Sequence, residues 1–420
     1  MRRRDWLRLV GVSAAGLAAS CGDDRPPGPA TSLAAVFEPD SDGLLVAVYD
    51  ESQDELAVEV RDDDGEIVTV QLVALGAHGT GVAEISGLAP AATYEIAVLA
   101  NGRMPLGPLR ARTAPRDDDP RAVRIAVSAD FDPHPMFESG LVGEMLAAQP
   151  DLLVSLGDFP YCDNGPPVVQ DEAGYRMRHV QGRGSRALRE LHAGVAIRAI
   201  YDDHEFRNDW NPDLVEREAT RYVAATTVWD EFFPLRDRAG DVRYRKWRYG
   251  AHVECFLLDC RRYRSASSAP DDFLKTMLGQ TQRQWLIDGV RASTAPFKLI
   301  FTSVPLDFGI GLDHWKGFTT ERELLFDNLV GVSGVLFVSA DQHYFAAYQH
   351  AHGVREFQVG PLARGIGPYG EDAPGVLFRA GRYNAGLIEV TATELRVIGL
   401  GDNGEHFYAE SFTPDQLRPS

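Results

Sequence analysis

Four short apolar segments in the middle and late parts of the chain each end in an aspartate. They are residues 125–130, 152–158, 197–203 and 335–341. Apolar segments of this kind alternate with amphipathic ones from residue 123 onward, which predicts an α/β region. In open α/β sheets, ligands bind in the crevice at the carboxyl ends of the strands. We therefore expect the four aspartates to converge.

Convergent carboxylates repel one another, and a bound cation relieves that repulsion. His204 directly follows Asp203, and Asp341 and His343 form an Asp-x-His pair. Aspartate and histidine are ligands for divalent and trivalent metals. An aspartate after a strand is also a common turn or helix N-cap residue. That alternative explains one aspartate more easily than the whole set with its two histidines, so we predict a metal site.

The same alternation predicts the elements around these aspartates. Predicted strands are 123–128, 152–156, 195–201, 298–304, 335–339, 356–359, 387–390 and 395–400, with a strand pair at 242–253 and 255–259. Predicted helices are 141–148, 186–192, 216–233, 282–292 and 321–329.

Several motifs make the prediction more specific. They are Gly-Asp-Phe-Pro-Tyr at 157–161, Asp-Asp-His-Glu at 202–205, Asp-x-His at 341–343, Leu-Asp-Cys-Arg-Arg-Tyr-Arg at 258–264, Leu-Gly-Gln-Thr-Gln followed by Trp-Leu at 278–286, and Trp-Lys-Gly-Phe at 315–318. Together they resemble the calcineurin-like metallophosphoesterase superfamily and, within it, the PhoD-like alkaline phosphatases. The resemblance covers residues 123–365 in the family's order. It implies an α/β/β/α sandwich preceded by a small all-β domain, and a metal-dependent phosphoric ester hydrolase.

The resemblance also implies metal ligands. Asp158 would bridge two metals, Tyr161 would bind ferric iron as a phenolate, and Asp203 would bind the second metal. Asp341 and His343 would each bind a metal from the last strand. The family resemblance implies that the two metals are Fe3+ and Ca2+. Together they would hold the phosphate ester and activate a hydroxide.

Two further roles concern the substrate. By resemblance, His204 would stabilise or protonate the leaving group. Arg176 or Arg178 would clamp the phosphate oxygens, because a guanidinium binds phosphate in a bidentate manner. A surface pair of arginines is the alternative.

The first strand departs from the family. PhoD-like enzymes place a cysteine on iron there, whereas this chain reads Ser-Ala-Asp-Phe-Asp at 128–132. We predict that Asp130 and Asp132 supply ligands instead, with His134 and Cys162 as lesser candidates. This harder ligand set leaves Mn2+, Zn2+ and Mg2+ open besides iron and calcium.

The first 31 residues read as a targeting segment. Residues 1–20 combine four arginines with a short apolar run, the pattern of an export signal, and Arg-Arg-Asp-Trp-Leu-Arg resembles the twin-arginine motif. The run ends at Cys21 in a lipobox-like sequence, and residues 21–31 form a tether. We predict an exported, periplasmic or cell-surface protein that contacts the membrane only through a lipid on Cys21.

Residues 32–113 predict a separate all-β sandwich. Short alternating segments are separated by turn signals, and no helical period is present. The sequence Leu-Ala-Pro-Ala-Ala-Thr-Tyr at 88–94 resembles the fibronectin type III corner, in which the tyrosine hydroxyl pins the backbone. A charged, proline-bracketed linker at 113–120 follows, and the PhoD-like domain is predicted to span residues 121–415.

The formal net charge of −19 argues against a nucleic-acid-binding surface, which needs a basic footprint. We expect a monomer. The leading interpretation is a phosphatase for monoesters or diesters. Three alternatives stay open: a phosphodiesterase or phospholipase-type esterase, a degenerate binding lipoprotein without activity, and an adhesion protein led by the β-sandwich.

Overall fold

The computed structural model describes residues 32–104, 106–132, 140–164, 168–236, 240 and 242–420. The predicted signal, tether and lipidated Cys21 therefore lie outside the described residues, as does His134. Within the described ranges, no helix combines the length and apolar character needed to cross a bilayer.

The N-terminal region is all-β, as predicted. Its strands are β1 (Leu33–Phe37), β2 (Gly43–Tyr49), β3 (Glu55–Arg61), β4 (Ile67–Ala74), β5 (Thr80–Ser86), β6 (Thr93–Leu99) and β7 (Leu109–Arg112). Four of them form a sheet of order β4-β3-β6-β7. The Tyr94 hydroxyl accepts a hydrogen bond of 2.8 Å from the backbone N–H of Ala89, which confirms the predicted tyrosine corner.

The other three strands of this region share a sheet with the rest of the chain. Strand β1 pairs in parallel with a later strand through Phe37 and Ile197, and β1, β2 and β5 thereby form one end of a nine-stranded sheet. At this seam the buried Glu38 forms ion pairs with Arg198 (2.7 Å) and Arg245 (2.5 Å). The N-terminal region is thus joined to the second region by a sheet and by buried ion pairs, as well as by the linker.

In its described residues, the second region contains thirteen strands and seven α-helices. The strands are β8 (Val123–Ser128), β9 (Leu152–Ser155), β10 (Ile197–Ala199), β11 (Arg245–Tyr249), β12 (Val253–Leu257), β13 (Phe297–Phe301), β14 (Val335–Ser339), β15 (Phe345–Gln349), β16 (Arg355–Gln358), β17 (Val376–Ala380), β18 (Ala385–Val390), β19 (Leu395–Leu400) and β20 (His406–Phe412). The helices are α1 (Leu141–Ala147), α2 (Glu172–Arg183), α3 (Arg186–Gly194), α4 (Pro212–Arg217), α5 (Ala219–Phe232), α6 (Gly279–Ala292) and α7 (Thr319–Leu329).

Two sheets stack face to face in this region. One has the order β20-β19-β18-β8-β9-β10-β1-β2-β5 and the other β11-β12-β13-β14-β16-β15-β17. Val127 and Leu299 belong to the apolar core between them. Helices α1, α2, α3 and α5 cover the nine-stranded sheet, and α6 and α7 cover the seven-stranded one. The layers form the expected α/β/β/α sandwich.

Several elements differ from the predictions, and strands β15, β17 and β20 were not predicted at all. The predicted helix 216–233 is two helices that meet at Glu218, whose backbone is non-helical (φ −121°, ψ 37°) and whose carboxylate is held by Arg207 and Arg221. Helix α2 was not predicted, because its sequence carries many polar residues and glycines and only a weak apolar stripe.

Candidate metal centre

The first three aspartate-bearing strands, β8, β9 and β10, are parallel neighbours in one sheet, whereas β14 lies in the facing sheet. The aspartates therefore meet across the gap between two sheets. Asp130, Asp158, Asp341 and His343 have φ of 57°, 57°, 78° and 58°. Left-handed backbone is uncommon for residues other than glycine, although aspartate and histidine tolerate it better than most. Such conformations concentrate at functional sites.

The side chains form overlapping groups whose ligand atoms lie within 4.8 Å of one another. We call Asp130, Asp158 and His343, with the adjoining Tyr161, the first half-site. The second half-site comprises Asp158, Asp202, Asp203 and Asp341. Asp158 belongs to both groups, and its role as a bridge between two metals stays a prediction.

Hydrogen bonds orient the first half-site. The Tyr161 hydroxyl donates to Asp158 Oδ2 (3.0 Å) and lies 3.2 Å from His343 Nε2. His343 Nδ1 lies 2.7 Å from the Gly365 carbonyl oxygen, so that nitrogen carries the proton and Nε2 turns its lone pair inward. Burial lowers the pKa of His343 to about 4, which keeps the imidazole in its neutral, ligating form.

Some carboxylate oxygens at the centre are buried without protein partners. Both oxygens of Asp130 and Oδ1 of Asp203 have no hydrogen-bond partner among the described residues. Burial, and then the charges of Asp158 and Asp341, raise the pKa of Asp130 well above its ordinary range. Leaving such groups unpaired costs free energy, and coordination of a cation removes that cost. These residues therefore fit a metal ion.

A buried guanidinium distinguishes the second half-site. Arg261 donates from Nε and Nη2 to the two oxygens of Asp202, both at 2.7 Å. Its Nη2 also lies 3.5 Å from Asp203 and 3.8 Å from Asp341. Although burial opposes ionisation, Arg261 and His204 lower the pKa of Asp203 to about 2. Part of the negative charge is thus balanced by the chain itself.

His204 lies at the edge of the centre. Its Nδ1 is 2.7 Å from Asp163 Oδ1, and its Nε2 is 3.9 Å from Asp203 Oδ1. Its ring lies 4.3 Å from the Tyr161 ring. Burial disfavours the charged ring, but Asp203, Asp158 and Asp163 outweigh burial and raise the pKa of His204 well above its ordinary value.

Three residues singled out in the sequence lie in other surroundings. Asp132 pairs with Arg364 at 2.5 Å and belongs to none of the ligand groups found among the described residues. The hydrogen bonds and ion pairs of Arg176 go to Glu172 and Glu231. Arg178 donates to the Asn164 carbonyl at 3.0 Å.

Other residues at the centre were not singled out in the sequence. Arg261 belongs to the motif at residues 258–264, but the sequence analysis gave this arginine no role. Asp163 lies two residues after Tyr161 but does not follow an apolar strand, so the pattern that identified the other aspartates does not include it. Asp209 and Asp313 group with Asp203 only after distant loops come together.

Comparisons with known proteins agree with this architecture. The model of the PhoD-like phosphatase family matches residues 127–374. Alkaline phosphatase D of Bacillus subtilis (strain 168) is 26% identical over 315 residues, which are 64% of this chain and 53% of that protein. This chain therefore spans about half the length of the curated relative that it matches.

Two solved structures share the fold. The structure of PhoD superposes with a TM-score of 0.80 at 19% identity, covering 92% of this chain and 90% of that one. A purple acid phosphatase from yellow lupin (Lupinus luteus) seeds superposes with a TM-score of 0.68 at 12% identity, covering 93% and 75%. At these identities the likeness supports the fold alone.

Proposed function

The chain belongs to the PhoD-like phosphatase family, and from that premise we propose that it hydrolyses phosphate esters at the two half-sites with the help of bound metal ions. Three buried oxygens support this proposal most directly, because both oxygens of Asp130 and Oδ1 of Asp203 lack a hydrogen-bond partner among the described residues. A protein that only bound a partner would not need such costly groups beside the Asp-x-His pair that follows the facing strand β14.

The donor types favour different ions in the two half-sites. The phenol of Tyr161 and the imidazole of His343 make the first half-site suitable for Fe3+, Zn2+ or Mn2+. The second half-site offers carboxylate oxygens, which suit Ca2+, Mg2+ or Mn2+. When bound, such ions would polarise the phosphate, activate water and neutralise the charge that develops during in-line displacement.

The chain's own residues have separable tasks in this proposal. Asp158 holds the two half-sites in register, because its Oδ2 accepts from Tyr161 and its Oδ1 accepts a 3.3 Å bond from the His204 backbone N–H. Asp163 anchors Nδ1 of His204, so that Nε2 faces the centre. With its raised pKa, His204 is suited to give a proton to the departing alcohol oxygen.

The predicted setting of the enzyme is part of the proposal. We propose export, with the protein attached to a membrane through a lipid on Cys21. Replacing Cys21 with serine should then move the protein from the membrane fraction to the soluble fraction after cell lysis. If the protein stays in the same fraction after the substitution, the proposed lipid anchor is wrong, but the proposed activity is not affected.

Asp158→Asn tests the function. The metal-loaded protein should hydrolyse an aryl phosphate monoester, a bis-aryl diester or both, and the variant should lose more than about a hundredfold in kcat/KM, since even partners behind the ligands typically cost 10–100-fold. Elemental analysis should find about two bound ions in the parent protein. Asp132→Asn is the matched control, and this variant should retain both the hydrolysis rate and the bound ions. Hydrolysis that survives Asp158→Asn, or a folded protein that takes up no ion, would overturn the proposal.

A further inference from the structure

Six large apolar side chains protrude from three loops that hydrogen bonds and ion pairs link to residues of the metal centre. We call them the apolar rim. Their exposed fractions are 83% for Phe273, 72% for Leu274, 47% for Ile310, 56% for Leu312, 47% for Ile366 and 46% for Tyr369. Exposed apolar groups that cluster together, rather than occurring singly, mark interaction sites.

The loop that carries Ile310 and Leu312 is linked to the second half-site through the side chain of Gln342. The Ile310 backbone N–H donates to Gln342 Oε1 at 2.8 Å, and Gln342 Nε2 donates to Asp341 Oδ2 at 2.6 Å. At the other end of the loop, Leu312 precedes Asp313, whose carboxylate pairs with Arg261. At Ile310, the single side chain of Gln342 therefore connects the loop to the proposed ligand Asp341.

The loop that carries Ile366 is bonded to the first half-site. The two residues that flank Ile366 both bond to His343: the Gly365 carbonyl accepts from Nδ1 at 2.7 Å, and the Gly367 N–H donates to the His343 carbonyl at 3.0 Å. Arg379 links this loop to the previous one, because it donates to the carbonyls of Gly370 (3.0 Å) and Phe308 (3.3 Å).

The third loop carries the two most exposed rim residues. The Ser267 hydroxyl donates to Asp313 Oδ1 at 3.0 Å, which connects this loop to the residue next to Leu312. Asp271 accepts from the backbone N–H of Thr319 at 2.9 Å and thus fixes the loop to the start of α7. The pair of Phe273 and Leu274 is therefore held in place and still faces solvent.

We propose that the apolar rim binds the hydrocarbon group of an amphipathic phosphate ester whose phosphate lies at the metal centre. The inference rests on the proposed function and names its substrate class. A charged centre and an apolar rim whose loops are bonded to residues of that centre match the head and tail of one molecule. Transfer of the tail from water to the rim would stabilise the complex in proportion to the apolar area that is buried.

Binding of a series of n-alkylphosphonates, from ethyl to decyl, tests the rim without turnover. Calorimetry would be performed on the metal-loaded protein with the ligands below their micelle-forming concentrations. We expect Kd to fall about two- to fourfold for each added methylene that reaches the rim. The double variant Leu312→Ser/Ile366→Ser should flatten this dependence. Val70→Ser, at a comparably exposed position on β4 (52%), is the matched control and should preserve it.

The outcomes separate the inference from the proposed function. If Kd does not depend on chain length, or if the dependence is the same in the double variant, the apolar rim does not bind the hydrocarbon group and the inference is wrong. If the protein binds phosphatidylcholine vesicles but Kd for the dispersed ligands does not depend on chain length, the inference is also wrong. The apolar rim is then a membrane-docking surface. Chain-length-dependent binding in a protein that hydrolyses no phosphate ester keeps the rim and overturns the proposed function.

Discussion

The two half-sites of the metal centre share Asp158 but solve the problem of buried negative charge differently. In the second half-site, the guanidinium of Arg261 binds Asp202 and approaches Asp203 and Asp341. In the first, neither oxygen of Asp130 has a hydrogen-bond partner within the described part of the chain. The second half-site is therefore partly neutralised by the fold, whereas in the proposed function a bound cation balances the first.

The largest expected effect comes from removing the built-in cation. Arg261→Met should destabilise the protein by about 3–5 kcal/mol, because loss of one partner leaves buried carboxylates without compensation. Arg261 is fully buried, so solvent does not screen this loss. Denaturant unfolding of metal-free protein measures it. Excess divalent metal should restore part of the lost stability, since a bound cation replaces the missing charge.

A stability of the metal-free variant within about 0.5 kcal/mol of the parent protein would contradict this account, because surface substitutions away from such networks have effects of that size. The two half-sites would then not differ in their need for external charge.

The contrast between the half-sites also shows what the sequence could reveal. Asp130, Asp158 and Asp203 follow neighbouring parallel strands of one sheet, and the apolar pattern of each strand is local, so their convergence was predictable. Asp341 follows β14 of the facing sheet, so the crevice of a single sheet does not account for its position. Arg261 becomes the neighbour of these aspartates only when strands of two sheets face each other, which no local pattern encodes. The parallel pairing of β1 with β10 was equally hidden, because β10 has only three residues and its partner is more than 150 residues away.

The pH dependence of the metal-free protein should expose the unbalanced charge. Burial raises the pKa of Asp158 from its ordinary value of 3.8 to about 8. A carboxyl with a raised pKa stabilises the fold fully below the unfolded value, and that contribution is lost as the pH rises towards 8. The melting temperature should therefore fall between pH 4 and 8 in chelator. Asp203, with its pKa near 2, has its transition below this window.

Saturating metal should flatten that profile, because the cation favours the ionised carboxylates. Equal slopes with and without metal would show that the titrating groups lie elsewhere in the protein.

Asp130→Asn should separate stability from metal binding in the first half-site. The amide removes an uncompensated buried carboxyl, so the metal-free protein should gain about 1–3 kcal/mol in unfolding free energy. The same change should lower the bound metal by about one ion per chain. Asp132→Asn is the control, since Asp132 pairs with Arg364 near the surface, and metal content should not change. Equal losses of metal in both variants would make Asp132 a ligand, as the sequence predicted.

The smallest effect is expected at Arg176, which the sequence offered as a phosphate clamp. Its guanidinium is bound by Glu231 at 2.6 Å and Glu172 at 2.7 Å between α2 and α5, so removal of the side chain should cost about 1 kcal/mol of stability and leave kcat/KM for an aryl phosphate within about twofold. Arg186→Ala, which breaks an exposed pair with Glu190, controls for loss of a surface charge. If Arg176→Ala instead raises KM by more than about tenfold while the fold is retained, Arg176 reaches the substrate in the working enzyme, and the ion pairs with Glu231 and Glu172 must open when substrate binds.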